Sequence, residues 1–281
     1  MIIIRSIDLI SEMREVEDLQ REVWGPDDVV PLTHLAAATE VGGILIGAFD
    51  GGRLVAFVYG FVGQEDNQPV IHSHMLAVKG SYRDRALGYK LKLAQREAAL
   101  RGGFTRITWT FDPLQSRNAH LNFAKLGVIA DQYKINFYGE QSPSPLHHHI
   151  GTDRLWVSWL LTSLRVRQRL EARSNAVGHL SSELEQEAVT LVRLEADGSP
   201  GTTPLAGGLR DKHALIEIPG SIGSLQQHDP KLAIGWREAT RRAFTEALDS
   251  GYRVEEFYRG IRSGLPLGIY LLSRSEGEER N

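Results

Sequence analysis

Val78-Lys79-Gly80-Ser81-Tyr82-Arg83-Asp84-Arg85-Ala86-Leu87-Gly88-Tyr89 decides the fold of this 281-residue chain. Before it, Pro69–Val78 reads as a strand. After it, residues 87–101 carry helical periodicity, and Gly102-Gly103 stops them. A strand that passes through a short basic loop into a helix makes a mixed α/β chain. Backbone N–H groups at a helix start lack internal partners and sit at the positive end of the dipole. Arg83 and Arg85 add charge, while Ala86 and Gly88 leave room for close approach. The segment is thus a candidate anion site. The plainer alternative is a strand–loop–helix joint with solvated arginines.

Upstream, Ile2–Ile7 reads as a strand. Ser11 is placed to cap a helix running to Trp24, with Met13, Val16, Leu19, Gln20 and Val23 near helical spacing. Gly43–Phe49 and Arg53–Gly63 are β-rich runs joined by Asp50-Gly51-Gly52, the strongest hairpin signal in the chain. Downstream, Thr105–Phe111 is expected as a strand. Arg117–Leu126 follows as a helix stopped by Gly127, and Val128–Tyr138 and Leu155–Leu161 as strands, with a loop at 143–151 between them. Residues 164–189 form a charged helical connector. A smaller α/β unit follows at 190–281, with a Gly/Pro/Thr-rich loop at 198–208, a strand Ala214–Ile218, a helix near Pro230–Ser250 and strands Tyr252–Tyr258 and Leu267–Ser273. In that helix Ile234, Trp236, Ala239, Ala243, Phe244 and Leu248 carry core spacing. Residues 275–281 are expected to fray.

Composition narrows the function. Net charge is −3, with no global basic footprint for nucleic acid. Cysteine is absent, which removes disulfides, thiolate metal sites and a cysteine nucleophile. No apolar run approaches membrane-spanning length, and the start of the chain lacks a secretory pattern, so a cytoplasmic protein is expected. His147-His148-His149 lies in a Ser/Pro loop without convergent carboxylates, so no metal is expected. Ser116 and Ser158 lack a nucleophile elbow.

Three features together resemble the GNAT N-acyltransferase superfamily across roughly residues 1–162. Leu76-Ala77-Val78 precedes Arg83-Asp84-Arg85-Ala86-Leu87-Gly88, close to that family's Arg/Gln-x-x-Gly-x-Gly/Ala loop, with Ala86 in place of the first glycine. Ala119-His120-Leu121-Asn122-Phe123-Ala124-Lys125-Leu126-Gly127 resembles its second motif, with Phe123 at the usual tyrosine. The order of elements also agrees. The runs His72–Val78, Trp109–Pro113, Asn118–Gly127 and Asp153-Arg154 are similar to a bacterial subgroup that acylates or succinylates amino acids.

The resemblance implies a GNAT-like α/β (α+β) fold, a mixed central sheet with splayed strands flanked by helices, and acetyl-CoA or another acyl-CoA as co-substrate. Met75, Leu76 and Val78 would pair with pantetheine in the gap between splayed strands. Arg83, Arg85, Ala86, Leu87, Gly88 and Tyr89 would hold the pyrophosphate, and Asn122 and Phe123 would lie along the arm. His72 falls where the family often has a basic carboxylate, and His74 shares its face; histidine titrates in a useful range. The plain reading makes both hydrogen-bonded strand histidines. Phe123 cannot donate a proton, so Tyr133, Tyr138, a water or unaided departure of the thiolate takes that step. Asp112 is either a strand stop or a carboxylate that binds the substrate ammonium or orients a histidine.

In the C-terminal unit Glu217, His228, Asp229, Trp236, Arg237 and Arg241 stand out. Arg237 and Arg241 lie one helical turn apart, on a solvated face or paired with a carboxylate. The unit is expected to cap the acceptor side or to pack against another subunit, in a homodimer. The expected activity is transfer of an acetyl or succinyl group to a small amine, an amino acid above all. The alternative is a GNAT-fold protein that binds acyl-CoA without catalysis.

Overall fold

The computed structural model describes residues 1–140, 150–171, 179–203 and 212–274. The expected loop at 143–151 (all but 150–151), the histidine run 147–149, the middle of the connector (172–178), the end of the 198–208 loop and the C-terminal seven residues therefore lie outside the described residues. The chain divides into two units, Met1–Trp109 with Leu160–Thr162, and the remaining described residues from Thr110 onward.

The first unit contains β1 (Ile2–Ser6), α1 (Ile10–Trp24), α2 (Leu32–Glu40), β2 (Ile44–Asp50), β3 (Arg53–Glu65), β4 (Gln68–Val78), α3 (Leu87–Arg101) and most of β5 (Arg106–Phe111). Strand order is β1-β2-β3-β4-β5. The first three pairings are antiparallel and β4–β5 is parallel. Gly51 and Gly52 turn the β2–β3 hairpin with φ of 55° and 82°, the two positive values that a two-residue primed turn demands. Asp66-Asn67 does the same between β3 and β4, with φ of 50° and 58°.

One local expectation gives way here. Ser11 does not cap α1: the helix begins at Ile10, Leu9 holds the cap position and no side chain caps it. Helix α2 starts without a side-chain cap of its own, and its start is held from outside its own sequence. The Glu17 carboxylate on α1 accepts the Leu32 N–H at 2.6 Å, and Gln20 bonds both backbone groups of Val30. Side chains from α1 thus satisfy orphan donors where α2 starts. The core beneath joins Met13, Val16, Leu19, Leu35, Phe57, Tyr59 and Ala77.

The second unit holds α4 (Ser116–Ala119), β6 (Ile129–Lys134), β7 (Arg154–Leu160), α5 (Leu164–Glu171), α6 (Ser182–Glu187), β8 (Val189–Leu194), β9 (Pro200–Thr202), β10 (His213–Pro219), α7 (Ile222–His228), α8 (Pro230–Asp249), β11 (Tyr252–Arg262) and β12 (Leu265–Arg274). Its strands run β7-β6-β11-β12-β10-β8-β9. The single helix expected at 117–126 is instead α4 followed by a wider π-type coil over His120–Leu126, closed by Gly127 at φ 73°. The strand expected to reach Tyr138 ends at Lys134, and 135–138 turn instead.

Helix α8 buries Ala233, Trp236, Arg237, Thr240, Ala243, Phe244 and Ala247. Ile234, expected in the core, is exposed. The helix is rotated so that an arginine and a threonine enter the apolar stripe. Asp229 caps it, accepting the Leu232 N–H at 3.0 Å. No helix among the described residues is long and apolar enough to cross a membrane.

Candidate active site

Ala86 begins α3 in the left-handed conformation, φ 56° and ψ 22°. A glycine adopts this freely, whereas alanine costs about 1–2 kcal/mol there. The turn is therefore retained despite the methyl group. The cap residue of α3 is Ala86, whose methyl group cannot accept a hydrogen bond, and the amides that open the helix have no intrahelical acceptor. Arg83, Asp84, Arg85 and Ala86 are all exposed. The Arg85 guanidinium lies 4.8 Å from the Tyr82 ring centroid, and Tyr82 donates to Asp50 at 2.9 Å. A cationic loop with an open helix start suits a polyanion.

Strands β4 and β5 pair at Ile71↔Ile107 and His72↔Thr108. Beyond that point, residues 73–78 have no register partner on β5 among the described residues, while β4 stays paired with β3 as far as Val78. The strands fork immediately after His72. On the β3 side a bulge falls here too, since Gly60 faces Ser73 and Tyr59 faces Met75, leaving His74 as the extra residue.

His72 and His74 are brought together on one face. Their rings lie 5.3 Å and 5.9 Å from that of Phe61, and His74 also meets the edge of Tyr59 at 6.4 Å. His34 of α2 also meets Tyr59 edge-on, at 6.2 Å. Nδ1 of His72 is 3.0 Å from Thr108 Oγ1. Burial, helped by the neighbouring His74 and Lys92, pulls His72 down to about 4, so it is neutral at pH 7. His74 is lowered in the same sense by its packed side and by His34. Tyr59 is fully buried with an unpartnered hydroxyl, and burial raises it to about 12.

The opposite face of the fork holds a group that sequence reading missed. Lys92 on α3 is 5% exposed. Its ammonium donates to Ser73 Oγ at 2.7 Å and to Gln95 Oε1 at 3.3 Å, and lies 3.7 Å from the Trp109 ring centroid. No carboxylate pairs with it among the described residues, and burial lowers it to about 7. One signal was present: Lys92 lies between Leu91 and Leu93, within one turn of Gln95, on the helical face that should pack on the sheet.

The remaining candidates belong to the second unit. Asp112 accepts the Leu114 N–H at 3.0 Å, ending the strand, and takes Arg237 at 2.7 Å. Arg237 is 2% exposed, its Nε donates to the Ile150 carbonyl at 3.0 Å, and its Nη1 has no partner. Burial opposes its charge, but Asp112, Tyr133 and Asp153 outweigh it and hold Arg237 firmly protonated. Arg241 grips Asp153 in two-pronged fashion at 2.7 and 2.8 Å, and Tyr133 donates to the same carboxylate at 2.7 Å. Burial would raise Asp153, yet these donors bring it below the usual carboxylate range. Arg237 and Arg241 therefore do not form a solvated face. Tyr133 stacks on Phe244, and burial above all pushes its hydroxyl well up.

Phe123 is fully buried against Phe111 and Tyr270. Asn122 is buried with an unpartnered Nδ2. Glu217 accepts the Leu194 N–H at 2.7 Å and Arg262 at 2.5 Å, Trp236 donates to the Gly198 carbonyl at 3.0 Å, and exposed His228 contacts the Ser224 carbonyl at 2.8 Å. These are packing and capping roles.

Residues 10–128 match the model of the Acetyltransferase (GNAT) family, under half of the chain. The chain is a mixed α/β protein with sheet flanked by helices, consistent with the GNAT fold. No curated protein matches it. Among solved structures, a GNAT-family acetyltransferase from Streptococcus pneumoniae is 16% identical over 56% of this chain and 98% of its own, with a TM-score of 0.45. The ribosomal-protein-S18-alanine N-acetyltransferase of Escherichia coli is 13% identical over 58% and 96%, at 0.47. Aminoglycoside 6'-acetyltransferase type Ii is 19% identical over 57% and 98%, at 0.43.

Proposed function

We propose that this chain is an acyl-CoA-dependent N-acyltransferase that moves an acetyl or succinyl group onto the amine of a small molecule, an amino acid being the expected class. The observation that carries this reading is the fork of β4 and β5 immediately after His72, beside a basic loop that leads into the start of α3. The residues present fit the co-substrate. The left-handed Ala86 keeps the loop open, the start of α3 offers amides, and Arg83 and Arg85 supply charge.

Acyl-CoA supplies an activated thioester. Met75, Leu76 and Val78 would lie along its pantetheine, and Leu87, Gly88 and Tyr89 would meet its phosphates. His72 is the proposed base. With Nδ1 donating to Thr108, Nε2 carries the lone pair that takes the acceptor's proton. A base lowered to about 4 is weak, so the acceptor is expected to arrive as a free amine. His74 and Phe61 would help shape the acceptor pocket. A cytoplasmic setting suits a chain without cysteine.

The test is release of coenzyme A thiol from acetyl-CoA and succinyl-CoA across a panel of amino acids and other small amines. Acceptor-dependent release supports the reading. Tight acyl-CoA binding without release for any amine would favour the second reading, a non-catalytic acyl-CoA binder. Phe123 is the feature behind that alternative, because the second motif's usual hydroxyl is missing.

A further inference from the structure

We propose that Lys92 is the acid that protonates the departing coenzyme A thiolate, taking the role that Phe123 cannot. This rests on the acyltransferase reading above. The geometry is specific. Ser73 and Trp109 are the first residues beyond the last β4–β5 pair, and the Lys92 ammonium touches both, at 2.7 Å to Ser73 Oγ and 3.7 Å to the Trp109 ring centroid. A side-chain cation thus approaches the root of the fork from α3. His72 stands on the other strand face.

The surroundings suit a proton donor better than a structural cation. Ser73, Gln95 and Trp109 are uncharged, and His72 is the titratable group whose charge couples to Lys92. A buried lysine without a carboxylate destabilises the fold. Burial lowers its proton affinity toward neutrality, where general acids work best. Ser73 Oγ accepts from Lys92 and donates to Gln95 at 2.9 Å, so the hydroxyl and ammonium are held in one orientation.

The step balances. The acceptor nitrogen bonds to the acyl carbon and the carbon–sulfur bond breaks. The nitrogen's proton passes to His72, and the sulfur takes one from Lys92 Nζ. His72 then releases its proton to solvent and neutral Lys92 recovers one from solvent, so the products are amide and free thiol.

The test compares wild type with Lys92→Met, a substitution of similar length that also removes the buried charge. Three readouts are expected together. Acetyl-CoA affinity by calorimetry changes less than about threefold, kcat falls at least about 100-fold, and the alkaline limb of the wild-type kcat profile, near pH 7, disappears. In the ligand-free proteins, wild-type stability rises between about pH 7 and 10, because the unfolded chain binds the extra proton there, and Lys92→Met lacks that rise. A variant kcat within tenfold of wild type, a wild-type profile flat from pH 6 to 9, or an acyl group on Lys92 by mass spectrometry would overturn the proposal. The wild-type profile decides the matter even if the variant fails to fold. Failure of wild type to bind acetyl-CoA would overturn the acyltransferase reading and this proposal with it, whereas intact binding with an unaffected variant removes Lys92 alone.

Discussion

His72 Nδ1 and Thr108 Oγ1 lie 3.0 Å apart at the last paired position of β4 and β5. The hydrogen bond fixes the imidazole where the two strands begin to part. A ring held there has a defined orientation, with Nε2 as the nitrogen left for an acceptor. His72→Gln is expected to cut kcat/KM by about 10²–10⁴-fold, and Thr108→Val by about tenfold, with acetyl-CoA affinity nearly unchanged in both. Steady-state kinetics beside calorimetric binding checks this.

The same histidine makes folding pH-dependent. Its folded value of about 4 lies below the unfolded value of about 6.5, so the unfolded chain binds more protons between them. The His72 contribution to stability is therefore complete above pH 6.5 and is lost as pH falls toward 4. Urea melts from pH 7 to 4.5 should show a shallower decline for His72→Gln than for wild type.

Ala86 stores strain that a glycine would relieve. Ala86→Gly is expected to raise unfolding free energy by about 1 kcal/mol, since the residue keeps φ 56° without a Cβ clash. Chemical denaturation measures it. A loss of stability would mean that the alanine methyl is packed in a way that offsets its backbone strain.

Much of the first unit was legible because its signals are local. Residues 87–101 show helical spacing ended by two glycines, and α3 spans Leu87–Arg101. Asp50-Gly51-Gly52 announces a two-residue turn. What escaped depends on distant partners. The start of α2 is held by Glu17 and Gln20 from another helix. Lys92 reads as one more helical lysine until the Trp109 ring and Ser73 close over it. Arg237 reads as surface charge until Asp112, 125 residues earlier, is found against it. Charged side chains are assigned outward by default because an unpaired buried charge is costly, and only the fold reveals the partner.

The Arg237–Asp112 pair should behave as a buried one. Removing either partner strands a charge, so Arg237→Met and Asp112→Asn are each expected to cost about 3–5 kcal/mol. The double variant should cost less than the sum, and a double-mutant cycle in urea measures the coupling.

Exposed Arg83 and Arg85 should contribute charge rather than fold. Replacing both with serine is expected to leave the melting temperature within a few degrees while weakening acetyl-CoA binding about tenfold or more at low salt. Calorimetry at two ionic strengths checks it, and the wild type should lose more affinity on adding salt than the variant.

The most direct measurement is the thermal stability of the intact chain with acetyl-CoA, succinyl-CoA and free coenzyme A. A ligand bound only by the folded state, at about 100 times its Kd, adds roughly 2.7 kcal/mol. A clear upward shift with at least one thioester, reduced in the Arg83/Arg85 double-serine variant, is the predicted result. No shift with any of the three at millimolar concentration would contradict the account, because the loop from Val78 to Tyr89 would then not be a coenzyme A site.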